Sequence, residues 1–176
     1  MELSNFGEDV LEEQNNQKKK RPTFLLVLCI LTLVYTGLSV FTPIAALFQG
    51  PQSAEQMEMM KRVMADASDK MQEIGSGFLA NFYNQLYEMM VQVNENHYLY
   101  YLMVLISLLM GIAGAIFMLK GKKLGFHLYL GYSAIVTFGP YAFVSSESYP
   151  LVLTITNVII SGIFILMYSR NLKHLN

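Results

Sequence analysis

Apolar residues fall into four long runs broken by short polar or charged stretches. No Asp, Glu, Lys or Arg occurs in 22–54, 96–119, 124–146 or 148–169. A helix that crosses a bilayer needs about 20 apolar residues at about 1.5 Å each. All four runs reach that length. Lipid offers no partners to backbone N–H and C=O groups, so each run is expected to be α-helical. Tyr101-Leu-Met-Val-Leu-Ile106 does not alternate, which argues against barrel strands.

The polar stretch between the first two runs has a different period. Met60, Met64, Ala67, Met71 and Ile74 follow 4-3-4-3 spacing, and Leu79, Phe82, Leu86, Met89 and Val93 follow 3-4-3-4 spacing. Both are stripes on amphipathic helices. Gly75-Ser76-Gly77 breaks them, and Ser53 stands where a cap would begin the first. Helices over 53–74 and 77–94 follow. The expected fold is all-α: a four-transmembrane-helix bundle with an extracytoplasmic amphipathic helical hairpin between spans one and two.

The expected segments are a disordered tail (1–21), span one (22–48), the hairpin (49–97) and span two (98–119). A basic turn (120–123), span three (124–145), an outer loop (146–150), span four (151–169) and a tail (170–176) complete the chain. Composition agrees with this division. The 176 residues are 53% hydrophobic and 14% charged, where soluble domains carry about a quarter charged residues.

Charge sets the orientation. Lys18 to Arg21, Lys120, Lys122, Lys123, Arg170 and Lys173 are nine basic residues on one side; Lys61, Arg62 and Lys70 are three on the other. The positive-inside rule then places both termini in the cytoplasm. Glu55, Glu58, Asp66, Asp69, Glu73, Glu88, Glu95 and Glu147 make the outer side acidic. Tyr98, Tyr100, Tyr101, Tyr141 and Tyr149 fit an interfacial aromatic belt. Lys18 to Arg21 followed by an apolar run resembles a secretory signal, but the run is too long and no small-x-small site follows; it reads as a retained anchor. The balance of charge, net −1, gives no reason to expect nucleic acid.

The spans carry no acidic or basic side chain, which counts against an ion-coupled pump. His97, His127 and His174 do not pair at one depth, so a bis-histidine haem in the bundle is not expected. Cys29 reads as a small core residue. No phosphate loop, dinucleotide fingerprint, G-x-S-x-G or H-E-x-x-H occurs. Neither catalytic residues nor a cofactor are expected. Met57, Met59 and Met60 form a thioether cluster that would suit Cu(I), but methionine also fills helix interfaces, and packing is the preferred reading, with no metal site assigned.

Ser107, Gly111 and Ala115 put small residues every fourth position along span two, and Asn157 and Ser161 do so in span four. These are candidate helix-packing positions. Asn157, the one intramembrane amide, is expected to bond a neighbouring helix, with a ligand contact as the sharper reading. Thr42-Pro43 and Gly139-Pro140 should kink or end a helix near the outer leaflet, and facing kinks could open a small vestibule there. Met57, Met60, Met64, Met71, Phe82, Leu86 and Met89 are the candidate interaction surface of the hairpin. They pack on one another or offer a groove to a partner.

Two stretches, Arg21-Pro-Thr-Phe-Leu-Leu-Val-Leu-Cys-Ile-Leu-Thr32 and Leu119-Lys-Gly-Lys-Lys-Leu-Gly-Phe-His-Leu-Tyr-Leu130, together resemble small four-span membrane proteins of unknown function from Bacteroidota. The resemblance covers about 24 residues directly. It implies a bacterial inner membrane and supplies no activity and no functional residues. A long first outer loop is similar to that of claudin-like proteins, but the loop has neither tryptophan nor a cysteine pair. The expected role is a non-enzymatic structural, accessory or interaction subunit. Its expected neighbours are membrane lipid and a membrane-protein partner or a second copy. The alternative is a small uncoupled transporter, channel or lipid-handling protein.

Overall fold

The structure, a computed structural model, describes residues 23–172. The expected N-terminal tail, its basic run Lys18 to Arg21, and Lys173 and His174 lie outside the described residues.

The described chain is helical and contains no strand. Helix α1, Thr23–Gln49, has two arms, Thr23–Ser39 and Phe41–Gln49. The break lies one turn before Pro43, which has no N–H for the Ser39 carbonyl. Val40 N–H still donates to Thr36 O (3.1 Å), and Ile44 N–H reaches Val40 O at 3.4 Å. The chain bends here without ending the helix.

Helices α2, Ala54–Glu73, and α3, Gly77–Glu95, follow. Ser53 caps α2: Gln56 N–H donates to its Oγ, and Ser53 N–H donates to Gln56 Oε1, forming a capping box. Gly75 ends α2 at φ 79°. Its N–H donates to Gln72 O, and Ser76 N–H donates to Met71 O, the paired bonds of a Schellman cap. The two helices pack on each other, and Ser68 Oγ donates to Ala80 O at 3.2 Å.

Helix α4, His97–Leu119, runs back and ends in a second Schellman cap, with Gly121 at φ 79°. There Lys122 Nζ lies 5.6 Å from the centroid of the Phe117 ring, a cation–π contact at the motif's apolar position. Helix α5, Leu124–Phe138, and helix α6, Leu151–Ser169, complete the bundle. The stretch expected as span three, 124–145, is α-helical only to Phe138. Pro140 then carries the chain into a 3-10 turn, Gly139–Ala142. Pro140 withholds a donor, and its ring crowds the preceding turn.

Among the described residues three helices are long and apolar enough to cross a membrane: Thr23–Gln49, His97–Leu119 and Leu151–Ser169. Side-chain pairs set their order. Thr32 meets Tyr168, Gly114 meets Gly125, Tyr100 meets Phe143, and His97 meets Ala46. Successive apolar helices therefore run antiparallel. Lys120, Lys122, Lys123 and Arg170 gather at one end, the basic end; α2, α3 and the 139–150 segment stand at the other, the loop end. One cluster of buried side chains, including Leu25, Leu28, Cys29, Leu108, Ala115, Met118, Tyr129 and Tyr168, fills the space among α1, α4, α5 and the last turn of α6.

Candidate functional site

The small residues of α4 face its neighbours. Ser107, Gly111 and Ala115 are all buried. A Cβ at Gly111 would meet Thr36 Cγ2 at 3.1 Å and the Tyr132 ring at 3.2 Å, so this glycine lets α1 and α5 close on α4 together. Ser107 Oγ bonds within its own helix, donating to Val104 O at 2.7 Å. The tightest crossing lies one turn further on. A Cβ at Gly125 would strike Gly114 O and come within 2.5 Å of Met118 N; one at Gly114 would lie 2.9 Å from Gly125 O. The two backbones touch directly.

Helix α6 is held differently. At the basic end Tyr168 is wholly buried, its hydroxyl 2.8 Å from Thr32 Oγ1 and its ring 4.8 Å from that of Tyr129. At the loop end the Tyr141 hydroxyl bonds Thr154 Oγ1, and the rings of Tyr141 and Tyr149 meet at a tilt of 52° with centroids 4.9 Å apart. Tyr149, expected in the interfacial belt, is only 6% exposed. Burial raises its pKa above the ordinary phenol value, so the hydroxyl keeps its proton.

Between these two attachments α6 stands away from α1, and cavities occupy the gap. A mid-bundle cavity of about 330 Å³ is lined from α1 by Leu31, Thr32 and Tyr35. Tyr129, Tyr132 and Val136 line it from α5, and Asn157, Ile160, Ser161 and Phe164 from α6. A loop-end cavity of about 430 Å³ is lined by Ser39, Thr42, Pro43, Tyr100, Tyr101, Pro140 and Tyr149 among others. Tyr35, Tyr132, Val136 and Asn157 line both. The two prolines expected to kink near the outer leaflet thus share one cavity. Asn157 is half-buried and makes no hydrogen bond to another described residue. Toward the basic end the interior closes on the buried Leu28, Cys29, Met118 and Tyr168.

A polar clasp ties α3 to the rest. Gln92 Oε1 accepts from Ser145 N–H (2.7 Å) while its Nε2 donates to Ser148 Oγ (2.8 Å). Gln85 Nε2 donates to Glu147 O at 3.0 Å. Gln52 N–H donates to Asn94 Oδ1 (2.7 Å), and Asn94 Nδ2 returns a bond to Gln52 O (3.2 Å). His97, only 7% exposed, donates from Nε2 to Ala46 O at 2.9 Å, because a carbonyl can only accept. The opposite histidine, His127, is exposed and bonds Lys123 O from Nδ1.

The methionine stripe turns inward. Met57, Met60, Met64, Met71, Phe82, Leu86 and Met89 are half-buried; Met89 lines a recess of about 200 Å³ with Met90, Asn94 and His97. The stripes do not turn inward at their turn ends, where Ile74 and Leu79 are exposed (71% and 40%) because the Gly75 cap ends the packed pair there; Met59, Val63 and Phe78 are exposed as well, at 64%, 56% and 66%. The described residues contain no group of three or more His, Cys, Asp or Glu side chains placed to hold a metal ion. Sequence reading passed over Gly114 and Gly125, Tyr35, Tyr132 and Tyr168, and the glutamines of the clasp. The density of tyrosine in and beside the spans was the one available signal. Comparison with protein-family profiles, with curated proteins and with solved structures returned no match.

Proposed function

We propose that this chain is a non-enzymatic accessory or interaction protein of a bacterial inner membrane. It crosses the bilayer four times with both termini in the cytoplasm. Its outer helical hairpin, α2 and α3, engages another membrane protein or a second copy of the chain. The observation that carries the reading is the exposed apolar set on that hairpin. Met59 and Val63 share one face of α2 beside the Asp66–Lys70 ion pair (2.6 Å), and Ile74 and Phe78 stand exposed at the turn into α3. Apolar side chains exposed beside charged ones mark interaction surfaces.

Four crossings are supported by length. Helix α5 and its 3-10 turn, placed end to end, rise about 30 Å, the thickness of a hydrocarbon core. The orientation rests on the nine basic residues of one side against three of the other. The bacterial inner membrane rests on the resemblance of 21–32 and 119–130, and the non-enzymatic reading on the absence of catalytic motifs from the sequence.

The second reading, lipid handling or uncoupled transport, is favoured by the two cavities beside α6. The closed basic end argues for holding a molecule over passing it.

Two measurements test the proposal. In a Cys29→Ser background, an impermeant maleimide should label Asp66→Cys in intact cells and Lys122→Cys only after lysis. Labelling of both in intact cells overturns the topology. Affinity purification in mild detergent should then recover a stoichiometric membrane protein or a homo-oligomer; recovery of lipid or solute alone favours the second reading.

A further inference from the structure

We propose that the gap between α1, α5 and α6 is a binding site for one uncharged single-chain amphiphile. Its alkyl tail lies in the mid-bundle cavity, and its hydroxyl or carbonyl head reaches Asn157 and the tyrosine hydroxyls beside it. The inference rests on the membrane-spanning reading above and adds a ligand to it.

Size comes first. Cavities of about 330 and 430 Å³ fall in the range of small-molecule sites, about 300–1,000 Å³. A sphere of 330 Å³ is about 9 Å across, too narrow for a helix about 10–12 Å wide with its side chains. A second copy of the chain cannot seat a helix there without parting α1 from α6, whereas an alkyl chain enters as it stands.

Access comes next. The cavities lie between helices whose outward faces carry exposed apolar side chains, Val34 on α1 and Ile159 and Ile163 on α6, with the exposed Leu31 and Ile160 at the cavity rim. Thr32 and Tyr168 hold α1 to α6 at the basic end, and Tyr141 and Thr154 hold α6 at the loop end. The gap between these attachments faces the hydrocarbon, so its occupant comes from the bilayer.

Chemistry selects the class. Among the described residues, no Asp, Glu, Lys, Arg or His lines either cavity, so a phosphate, carboxylate or ammonium head would enter without a counter-charge from them, at high cost in a medium of low dielectric. Hydroxyls of Tyr35, Tyr132 and Ser161 and the free amide of Asn157 are present, and they suit a neutral head. Moving an alkyl chain from lipid into an apolar cleft gains little, since lipid tails are as apolar as leucine. Retention and selectivity therefore come from the head. Asn157 can offer two donors and an acceptor, all without a partner among the described residues.

The test uses the full chain in phosphatidylglycerol nanodiscs and a monoacylglycerol carrying a diazirine in its alkyl chain. After irradiation, adducts should concentrate on Tyr132, Val136, Asn157 and Ile160, and unlabelled monoacylglycerol should compete. The equivalent lysophosphatidylglycerol probe should label these residues at least about fivefold less. Asn157→Leu, which removes hydrogen bonds but not volume, should lower neutral-probe labelling about fivefold. Ser161→Phe, which fills the cavity, should lower it as far. Ile163→Phe on the lipid side should change nothing. Circular dichroism and monodispersity identify any variant that has failed to fold. Adducts spread evenly over Ile159 and Ile163, equal labelling by the charged probe, or undiminished labelling in both cleft variants would each overturn the proposal. So would an Ile160→Cys chain that cross-links to its copy and excludes the probe. If the probes fail while Asp66→Cys and Lys122→Cys still label from opposite sides, the site falls and the topology stands.

Discussion

The hydroxyl of Thr32 lies 2.8 Å from that of Tyr168, 136 positions later in the chain, and both groups are buried. This bond joins the first apolar helix to the last, and the Tyr168 ring then covers Tyr129. Tyr168→Phe keeps the ring and strands the Thr32 hydroxyl, although Thr32 can fall back on its own helix, as Thr36 Oγ1 does with Thr32 O (2.7 Å). The expected loss is about 1 kcal/mol, at the upper end of interhelical hydrogen bonds in membranes. Tyr168→Ala also removes a fully buried ring and should cost about 3–5 kcal/mol. A double-mutant cycle with Thr32→Val, read by denaturant unfolding in mixed micelles, checks the bond. Strict additivity of the two single losses would remove it from the account.

The Gly114–Gly125 crossing predicts a sharp contrast among glycines. Gly125→Ala must push α4 and α5 apart, because the added carbon meets backbone atoms that cannot rotate away. A loss of about 1–3 kcal/mol is expected. Gly162→Ala has nothing within 4 Å and lies within α6, so it should be neutral or stabilising by up to about 1 kcal/mol. Thermal unfolding in one detergent ranks the two. Equal stability of both variants would mean the helices do not touch where these glycines stand.

Much of this architecture was readable along the chain, because the signals are local. The charge-free runs are continuous stretches of sequence, and the Ser53 cap, the Gly75 break and the Pro43 bend each depend on residues within about one turn. The end of α5 at Phe138 was readable only in part. Gly139-Pro140 marked a kink or stop, but the apolar residues that follow, through Val144, continue the hydropathy of a span. Contacts between elements were not readable. Ser107, Gly111 and Ala115 are a visible stripe within one helix, yet which glycine meets which depends on the register of α4 against α5, and Gly114 shares that face without keeping the four-residue spacing. The inward turn of the methionine stripe was foreseeable from its period. The exposure of Met59 and Val63 beside it was not, since apolar residues on a second face blur the pattern.

Gln92 bonds both Ser145 and Ser148, and it holds the 145–148 segment against α3. Gln92→Ala takes the acceptor from Ser145 N–H and the donor from Ser148 Oγ. Amide exchange across 145–149 should rise about tenfold, the equivalent of about 1.4 kcal/mol in local opening, while α4 and α6 keep their protection. Asn84→Ala, an exposed position on the same helix, serves as the control and should leave the segment unchanged. Hydrogen exchange read by mass spectrometry is sufficient. Slow exchange in both variants would show that Gln85 and the Glu147 carbonyl hold the segment unaided.

The hairpin offers the most direct separation of packing from recognition, because adjacent residues of α2 differ in exposure. Met59 is 64% exposed while Met60 is half-buried, and Val63 and Met64 repeat the pattern one turn on. Met59→Gln with Val63→Gln changes surface chemistry only, and stability should stay within about 0.5 kcal/mol. Met60→Gln with Met64→Gln places amides against α3 and should loosen the helix pair by about 1–3 kcal/mol through unmet hydrogen bonds. If the hairpin is the contact surface, the first pair abolishes recovery of a stoichiometric partner or of the homo-oligomer while α2 keeps its exchange protection. The second pair loses both together. Recovery that survives the first pair would move the contact surface elsewhere, most simply to the exposed isoleucines of α6 within the bilayer.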